Sequence, residues 1–195
     1  MKLSIITTVF NHKILIILIF FLAAILRIYN LGSLPPSLSG DELSFGYNAS
    51  TILNHGVDEH GKPYPLWFEA YGEYKLPVYI YSTALSLAIF GVNDMAIRLP
   101  SAIFGAGTVL IVYFIVKNLL ACLDKKSNGI DALPLLSAFI FAISPWHLQL
   151  SRTAVESVQA LFLFSLGCLL FIIFWKKNKL IHLLFSVLFL ALSVY

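Results

Sequence analysis

Two adjacent carboxylates, Asp41 and Glu42, are the first residues along the chain whose types and spacing could support chemistry. Ser39, with Glu42 three residues later, predicts a capping box at the start of a helix over residues 40–54, which His55-Gly56 would stop. Acids in a first helical turn also complement the helix dipole, so capping alone could explain both carboxylates. The cap does not require Asp41, which is therefore the better candidate for a base that accepts a proton from an acceptor hydroxyl or amine.

A second polar cluster lies in residues 71–77, where Glu73 and Lys75 precede a proline. Lys75 is a point charge that could meet a phosphate, and Glu73 could ligate a divalent metal ion or pair with Lys75. The alternative is a solvated loop that carries a weak surface ion pair.

Three further charges lie at the ends of long apolar runs, which are expected to cross a membrane. Arg98 precedes an apolar run, and Arg152 and Glu156 are four residues apart, which predicts that they share one helix face. Ionisable groups near the interior of a membrane usually have a functional role. Alternatively, long charged side chains at a helix end can simply extend to the outer membrane surface. His147 is expected to be an interfacial polar residue. An aromatic belt at the interface is predicted for several rings, which could instead stack on a sugar: Tyr64, Trp67, Tyr71, Tyr74, Tyr79 and Tyr81.

The composition identifies the elements that must position these groups. The 195 residues are 59% hydrophobic and only 12% charged, with a mean hydropathy of +0.86, too few charges to coat a water-facing surface. A soluble enzyme and a disordered chain are therefore excluded, and a net charge of +3 gives no support to a nucleic-acid partner. Two cysteines in or beside apolar runs form neither a disulfide framework nor a metal-ligand pattern.

The hydropathy pattern predicts an all-α, polytopic membrane protein with about five transmembrane helices in a single domain over residues 1–195. Apolar runs occupy about residues 14–28, 98–117, 132–150 and 156–176, and a fifth starts at Leu180. This last run is still apolar where the sequence ends, so we expect the amino-terminal portion of a longer protein. Residues 76–91 are expected to form an interfacial helix, with a short extra span as the alternative.

Lysines predict the orientation. They cluster before the first run, between the second and third, and between the fourth and fifth. An amino terminus in the cytoplasm places all three clusters on the cytoplasmic side, as the positive-inside rule requires. The long first loop, about residues 30–93, then faces outward from the cytoplasmic membrane and carries interfacial helices. It holds six of the ten carboxylates, which predicts that function is concentrated there.

The order of these features resembles the amino-terminal part of the GT-C glycosyltransferases, and in particular the protein O-mannosyltransferase, aminoarabinose transferase and RgtA/B/C/D-like group. The resemblance covers nearly all of residues 14–175. It is carried by the acid pair on a helix after the first span, the Glu73/Lys75/Pro77 cluster, and Phe90-Gly91. It continues through Arg98-Leu99-Pro100-Ser101 and Ser144-Pro145-Trp146-His147, followed by Arg152 and Glu156.

The resemblance implies an enzyme that moves a sugar, with inversion, from a polyprenyl-phosphate donor to a glycan, lipid or protein acceptor on the outer face of the membrane. It implies that Asp41 is the catalytic base or positions the acceptor, and that Glu42 supports it. Lys75, together with Arg98 or Arg152, would hold the lipid phosphate, and Glu73 would be the ligand of a divalent metal ion, the one cofactor considered. The chain departs from the family in reading Glu73-Tyr74-Lys75-Leu76-Pro77 where relatives often have contiguous Glu-Lys-Pro. The alternative is a non-catalytic membrane component or transporter fragment, whose acids only cap helices and face solvent.

Overall fold

A computed structural model describes residues 2–122 and 132–194, with side chains from residue 12 onward. Most of these residues are helical, as the sequence predicts. The elements are α1 (Lys2–Ile28), α2 (Gly40–His55), β1 (Phe68–Ala70), β2 (Glu73–Lys75), α3 (Pro77–Phe90), α4 (Asp94–Cys122), α5 (Leu133–Ile143), α6 (Pro145–Leu150), α7 (Glu156–Lys177) and α8 (Leu180–Val194).

Two helices among the described residues, α4 and α7, are long and apolar enough to cross a membrane. Helices α3, α5 and α8 are apolar but shorter, so the number of five spans stays a prediction. Helix α1 extends further toward the amino terminus than the apolar run 14–28, since it continues through Lys13. The third predicted run is divided at Ser144-Pro145 into α5 and α6, because a proline cannot continue the hydrogen bonding of the preceding helix.

Helix α4 is the central element of the bundle and packs against α1, α3, α5 and α7, while α8 packs against α7. Small residues allow these close approaches. Ala23, Ala138 and Ala142 form a fully buried cluster with Val109, and Gly105 leaves room for Ser151 and Arg27. Lys176 Nζ donates to Asn118 Oδ1 at 3.2 Å, which brings the end of α7 to the end of α4. Two of the three lysine clusters therefore lie at one end of the bundle, with Lys125 and Lys126 outside the described residues.

A second core lies under the long first loop, where α2 and α3 pack together. The rings of Phe45 and Tyr79 meet edge to face at 4.9 Å. The Tyr79 hydroxyl donates to the Ile97 carbonyl, and Tyr81 donates to the Pro65 carbonyl. Tyr79 is therefore held within the fold, and the predicted aromatic belt is wrong for it, whereas Tyr81 is only half-buried. The other four members have exposed side chains: Tyr64, Trp67, Tyr71 and Tyr74.

The capping box that predicts α2 is confirmed. Ser39 Oγ accepts from the Glu42 amide, and Glu42 Oε2 accepts from the Ser39 amide. The helix ends at His55, one residue later than predicted, where Gly56 adopts a left-handed conformation.

A short hairpin, β1–β2, corrects the all-α prediction. Tyr71 and Gly72 both have positive φ, as in the two-residue turns that suit the twist of paired strands. The sequence did not predict these strands. Each is only three residues long, which is too short for an alternating pattern to be recognised.

Candidate functional site

Asp41 and Lys75 form an ion pair between α2 and β2. Lys75 Nζ lies 2.7 Å from Asp41 Oδ1 and 3.5 Å from Glu73 Oε2. The lysine side chain is 8% exposed, whereas that of Asp41 is 59% exposed. The site therefore presents a solvent-facing carboxylate beside a nearly buried ammonium group. The structure brings together three of the residues that the sequence singled out.

The hairpin explains why Lys75 points inward. In a strand, alternate side chains share a face, so Glu73 and Lys75 lie on one side of β2 and Tyr74 on the other. Lys75 is paired across the hairpin with Phe68, which is fully buried, and its ammonium lies 5.7 Å from the centre of the Phe45 ring. Burial lowers the pKa of Lys75, but Asp41 and the neighbouring carboxylates outweigh burial and raise it above its ordinary value. The group is therefore charged at neutral pH.

Glu42 is placed differently from Asp41, although the two are adjacent. Its side chain is 3% exposed, and its Oε1 accepts from Arg98 Nε at 2.8 Å and from the Ala154 amide at 2.9 Å. Burial raises the pKa of Glu42, but hydrogen bonds from Arg98 and from the amides of Ser39 and Ala154 outweigh burial and lower it below the ordinary value. Glu42 is consequently a buried, charged acceptor that joins α2 to α4.

Arg98 is fully buried and donates only to protein groups among the described residues. Besides Glu42, it donates to the carbonyls of Leu31, Pro35 and Ser37 at 2.7–3.2 Å. These bonds fix the segment of turns and bends that leads from α1 into α2. Such an environment does not fit the expected contact with a lipid phosphate, because no surface of Arg98 is open to a ligand. Arg98 instead joins α4 to the first turn of α2 and to the segment before it.

Arg152 lies in the turn before α7 and not on that helix, so the prediction that it shares a helix face with Glu156 is wrong. Helix α6 ends at Leu150, and α7 begins only at Glu156. The Arg152 guanidinium donates to carbonyls at the end of α1 and beyond it, including Leu26 at 2.7 Å and Tyr29 at 2.8 Å. It therefore caps the end of α1 while staying partly exposed.

An open groove of about 520 Å³ lies beside Arg152, between the end of α1 and α6. Its lining is almost entirely apolar and includes Leu26, Leu34, Pro35, Pro145 and Leu148. The groove places a guanidinium group next to a surface that suits a hydrocarbon chain.

Arg27 is a buried charge that the sequence reasoning missed. Its guanidinium contacts His147 Nδ1 at 2.9 Å and Ser151 Oγ at 3.3 Å, and donates to the carbonyls of Ala23 and Ala142. His147 is buried within the fold, and its predicted position at the membrane interface stays a prediction. The sequence did contain a signal for Arg27, because it is an isolated arginine at the end of an apolar run. A charge inside a membrane needs polar partners.

Residues 151–156, here called the 151–156 turn, contact α1, α2, α4 and the residue directly after β2. Ser151 meets Arg27 of α1, the Ala154 amide donates to Glu42 of α2, and the Val155 amide donates to Ser101 Oγ of α4. Glu156 Oε2 accepts from the amide of Leu76, directly after β2, at 2.9 Å. This connection through one short segment was not visible in the sequence.

The sequence predicts Glu73 as the ligand of a divalent metal ion. No group of three His, Cys, Asp or Glu side chains at ligand spacing occurs in the described part of the chain. The Lys75 ammonium itself lies within ion-pair distance of both Asp41 and Glu73. A metal role for Glu73 therefore stays a sequence-based prediction.

Comparison with known proteins gives concordant results. A family model described as dolichyl-phosphate-mannose-protein mannosyltransferase matches residues 74–195, more than half of the chain. The Bacillus subtilis (strain 168) protein named "Putative mannosyltransferase YkcB" is 27% identical over 176 residues, 88% of this chain and 22% of that protein. "Putative mannosyltransferase YycA" of the same organism is 30% identical over 112 residues, 56% of this chain and 15% of that protein. The matched part of the chain thus spans only 15–22% of the length of these relatives. No solved structure matches it.

Proposed function

The chain belongs to the dolichyl-phosphate-mannose-protein mannosyltransferase family, and on that premise we propose that the complete protein is a membrane glycosyltransferase. It takes a sugar from a polyprenyl-phosphate donor and transfers it, with inversion, to a glycan, lipid or protein acceptor. The reaction takes place on the outer face of the cytoplasmic membrane, with the amino terminus in the cytoplasm. Mannose, the sugar in the family description, is the first donor sugar to assay.

The observation that carries this proposal is the pairing of a solvent-facing Asp41 with a nearly buried Lys75. Asp41 takes the proton of the acceptor hydroxyl as the acceptor oxygen forms a bond to the anomeric carbon of the sugar. The bond between that carbon and the phosphate oxygen breaks at the same time, and the lipid phosphate leaves with the electron pair. A single displacement of this kind inverts the anomeric centre.

Lys75 supplies the positive charge that the leaving phosphate requires. A fixed cation in a partly desolvated site stabilises developing negative charge more strongly than a cation in water. Lys75 is held among carboxylates and against the Phe45 ring, so its ammonium is already charged and oriented before a donor binds.

Glu42 and Arg98 act through Asp41 by fixing the first turn of α2 against α4. Arg152 and the apolar groove beside it favour a lipid-linked donor over a water-soluble one. A polyprenyl chain needs an apolar surface, and its phosphate needs a cation.

The test is sugar transfer from radiolabelled polyprenyl-phosphate sugars in membranes that contain the complete protein. Asp41→Asn keeps the shape of the side chain but removes the base, so we expect a loss of about 10²- to 10⁴-fold in rate. Glu69→Gln is the matched control, because Glu69 is another exposed acid of the same loop that pairs with a lysine, Lys62, at 3.5 Å. Full activity of Asp41→Asn, or equal loss in both variants at equal protein level, would contradict the assignment of the base. Absence of transfer from every donor would favour a non-catalytic membrane component.

A further inference from the structure

The segment that carries Lys75 is held from a distant part of the chain. β2 ends at Lys75, and α3 starts two residues later with Pro77 at its first position. Leu76 lies between them as the N-cap of α3, and its side chain makes no capping bond. The Leu76 amide donates to Glu156 Oε2 at 2.9 Å, across 80 residues of sequence.

We propose that Glu156 is a positioning residue for the proposed transfer reaction, anchoring the backbone directly after Lys75 so that its ammonium stays at Asp41. The inference rests on the proposed function for its catalytic meaning. The anchor itself is a structural statement that can be tested separately.

A simpler explanation for Glu156 would be an acid in the first turn of α7 that complements the helix dipole. That explanation requires no particular direction of the side chain. The observed carboxylate instead bonds to an amide of another element, while the N-cap of α7, Val155, makes no side-chain capping bond. The direction of the side chain therefore favours the anchoring role.

The anchor also gives Glu156 an electrostatic effect on the site. Asp41, Glu73 and Glu156 are carboxylates that act on the Lys75 ammonium and favour its charged form. Glu73 lies two residues from Lys75 in sequence, and Asp41 is its ion-pair partner. Glu156, by contrast, comes from α7. The same side chain thus fixes the place of Lys75 and contributes to its charge.

Two substitutions separate these effects. Glu156→Ala removes both the acceptor and the charge, whereas Glu156→Gln keeps an acceptor oxygen for the Leu76 amide and removes only the charge. Asp94→Asn is the matched control, because Asp94 is likewise an acid in the first turn of a long apolar helix.

In the complete protein, we expect Glu156→Ala to lower the rate of sugar transfer by about 10- to 100-fold, mainly in kcat, since small displacements of a reacting group have effects of this size. Glu156→Gln should recover most of this loss at neutral pH. As the pH is raised, the rate of Glu156→Gln should begin to fall at a lower pH than the rate of the wild type. The reason is that Lys75 loses one of the carboxylates that raise its pKa. A merely structural substitution would not move the alkaline side of the pH profile.

Hydrogen exchange at the Leu76 amide tests the anchor without any assay of activity. We expect exchange to accelerate at least about tenfold in Glu156→Ala, which corresponds to about 1.4 kcal/mol, and to stay slow in Glu156→Gln and Asp94→Asn. Amine-reactive labelling of Lys75 should rise in parallel in Glu156→Ala.

Unchanged exchange and labelling in Glu156→Ala would overturn the anchor. Faster exchange with an unchanged transfer rate would overturn the positioning role. If the wild-type protein transfers no sugar while the exchange and labelling results are as expected, the proposed function fails and the anchor stands.

Discussion

Removal of the Glu42 carboxylate should destabilise the protein strongly, although Glu42 does not contact the proposed substrate. The carboxylate accepts from Arg98 Nε and from the amides of Ser39 and Ala154, all at 2.8–2.9 Å. Glu42→Ala leaves these donors without that acceptor, in surroundings that admit almost no water, since the Glu42 side chain is 3% exposed. The Arg98 guanidinium keeps only its carbonyl partners.

The expected cost follows from this burial. Removing one partner of a buried ion pair typically costs about 3–5 kcal/mol, because the other charge stays buried without compensation. Glu69→Ala breaks an ion pair whose two side chains are 46–48% exposed, and exposed pairs contribute about 1 kcal/mol or less. The two variants should therefore differ clearly in stability, although each removes one acid from the same loop.

The assay is the unfolding of the complete protein in detergent, followed by temperature and by denaturant. A double variant, Glu42→Leu with Arg98→Met, removes both charges and should lose less than the sum of the two single variants. It should not reach the stability of the wild type, because the carbonyls of residues 31–37 also lose their donor. A Glu42→Ala protein as stable as the Glu69→Ala protein, or a double variant with a purely additive loss, would refute the assignment of a buried, coupled pair.

Two further predictions concern pH and packing. The folded-state pKa of Glu42 lies below its ordinary value of 4.5, so its contribution to stability is present above that pH and is lost as pH falls through the lowered value. Unfolding measured between pH 7 and 3 should show this loss in the wild type and a flatter profile in Glu42→Gln. A Cβ atom at Gly105 would lie 2.6 Å from Ser151 Cβ, so Gly105→Ala should cost about 1–3 kcal/mol through overpacking. Gly40→Ala, where no heavy atom lies within 4 Å of the added carbon, is the control, and equal stability of the two variants would contradict the close approach.

Local patterns in the sequence predicted local structure. The capping box and Gly56 gave both limits of α2 to within one residue, because these signals act through hydrogen bonds inside a few residues. The apolar runs likewise predicted α4 and α7, the two described helices that are long and apolar enough to cross a membrane. Residue type and spacing also identified the acid pair, Glu73 and Lys75 as candidate site residues.

The pairing of these groups could not be predicted, since it depends on contacts between distant residues. Glu42 and Arg98 are 56 residues apart, and only the packing of α2 on α4 makes the arginine a buried partner. Arg152 was expected on α7 because the spacing of four residues fits a helix, but the chain turns there to bind the end of α1. The hairpin that orients Lys75 is too short for its alternation to be recognised.

The 151–156 turn has a consequence for how the protein is made. A chain is synthesised from its amino terminus, so Asp41, Lys75 and Arg98 leave the ribosome well before Ala154 and Glu156. The first loop can therefore start to pack while two of its backbone anchors are still missing, and its Leu76 amide lacks the Glu156 acceptor until α7 begins. These contacts can therefore form only after residues 154–156 have been made, however early the loop itself begins to pack.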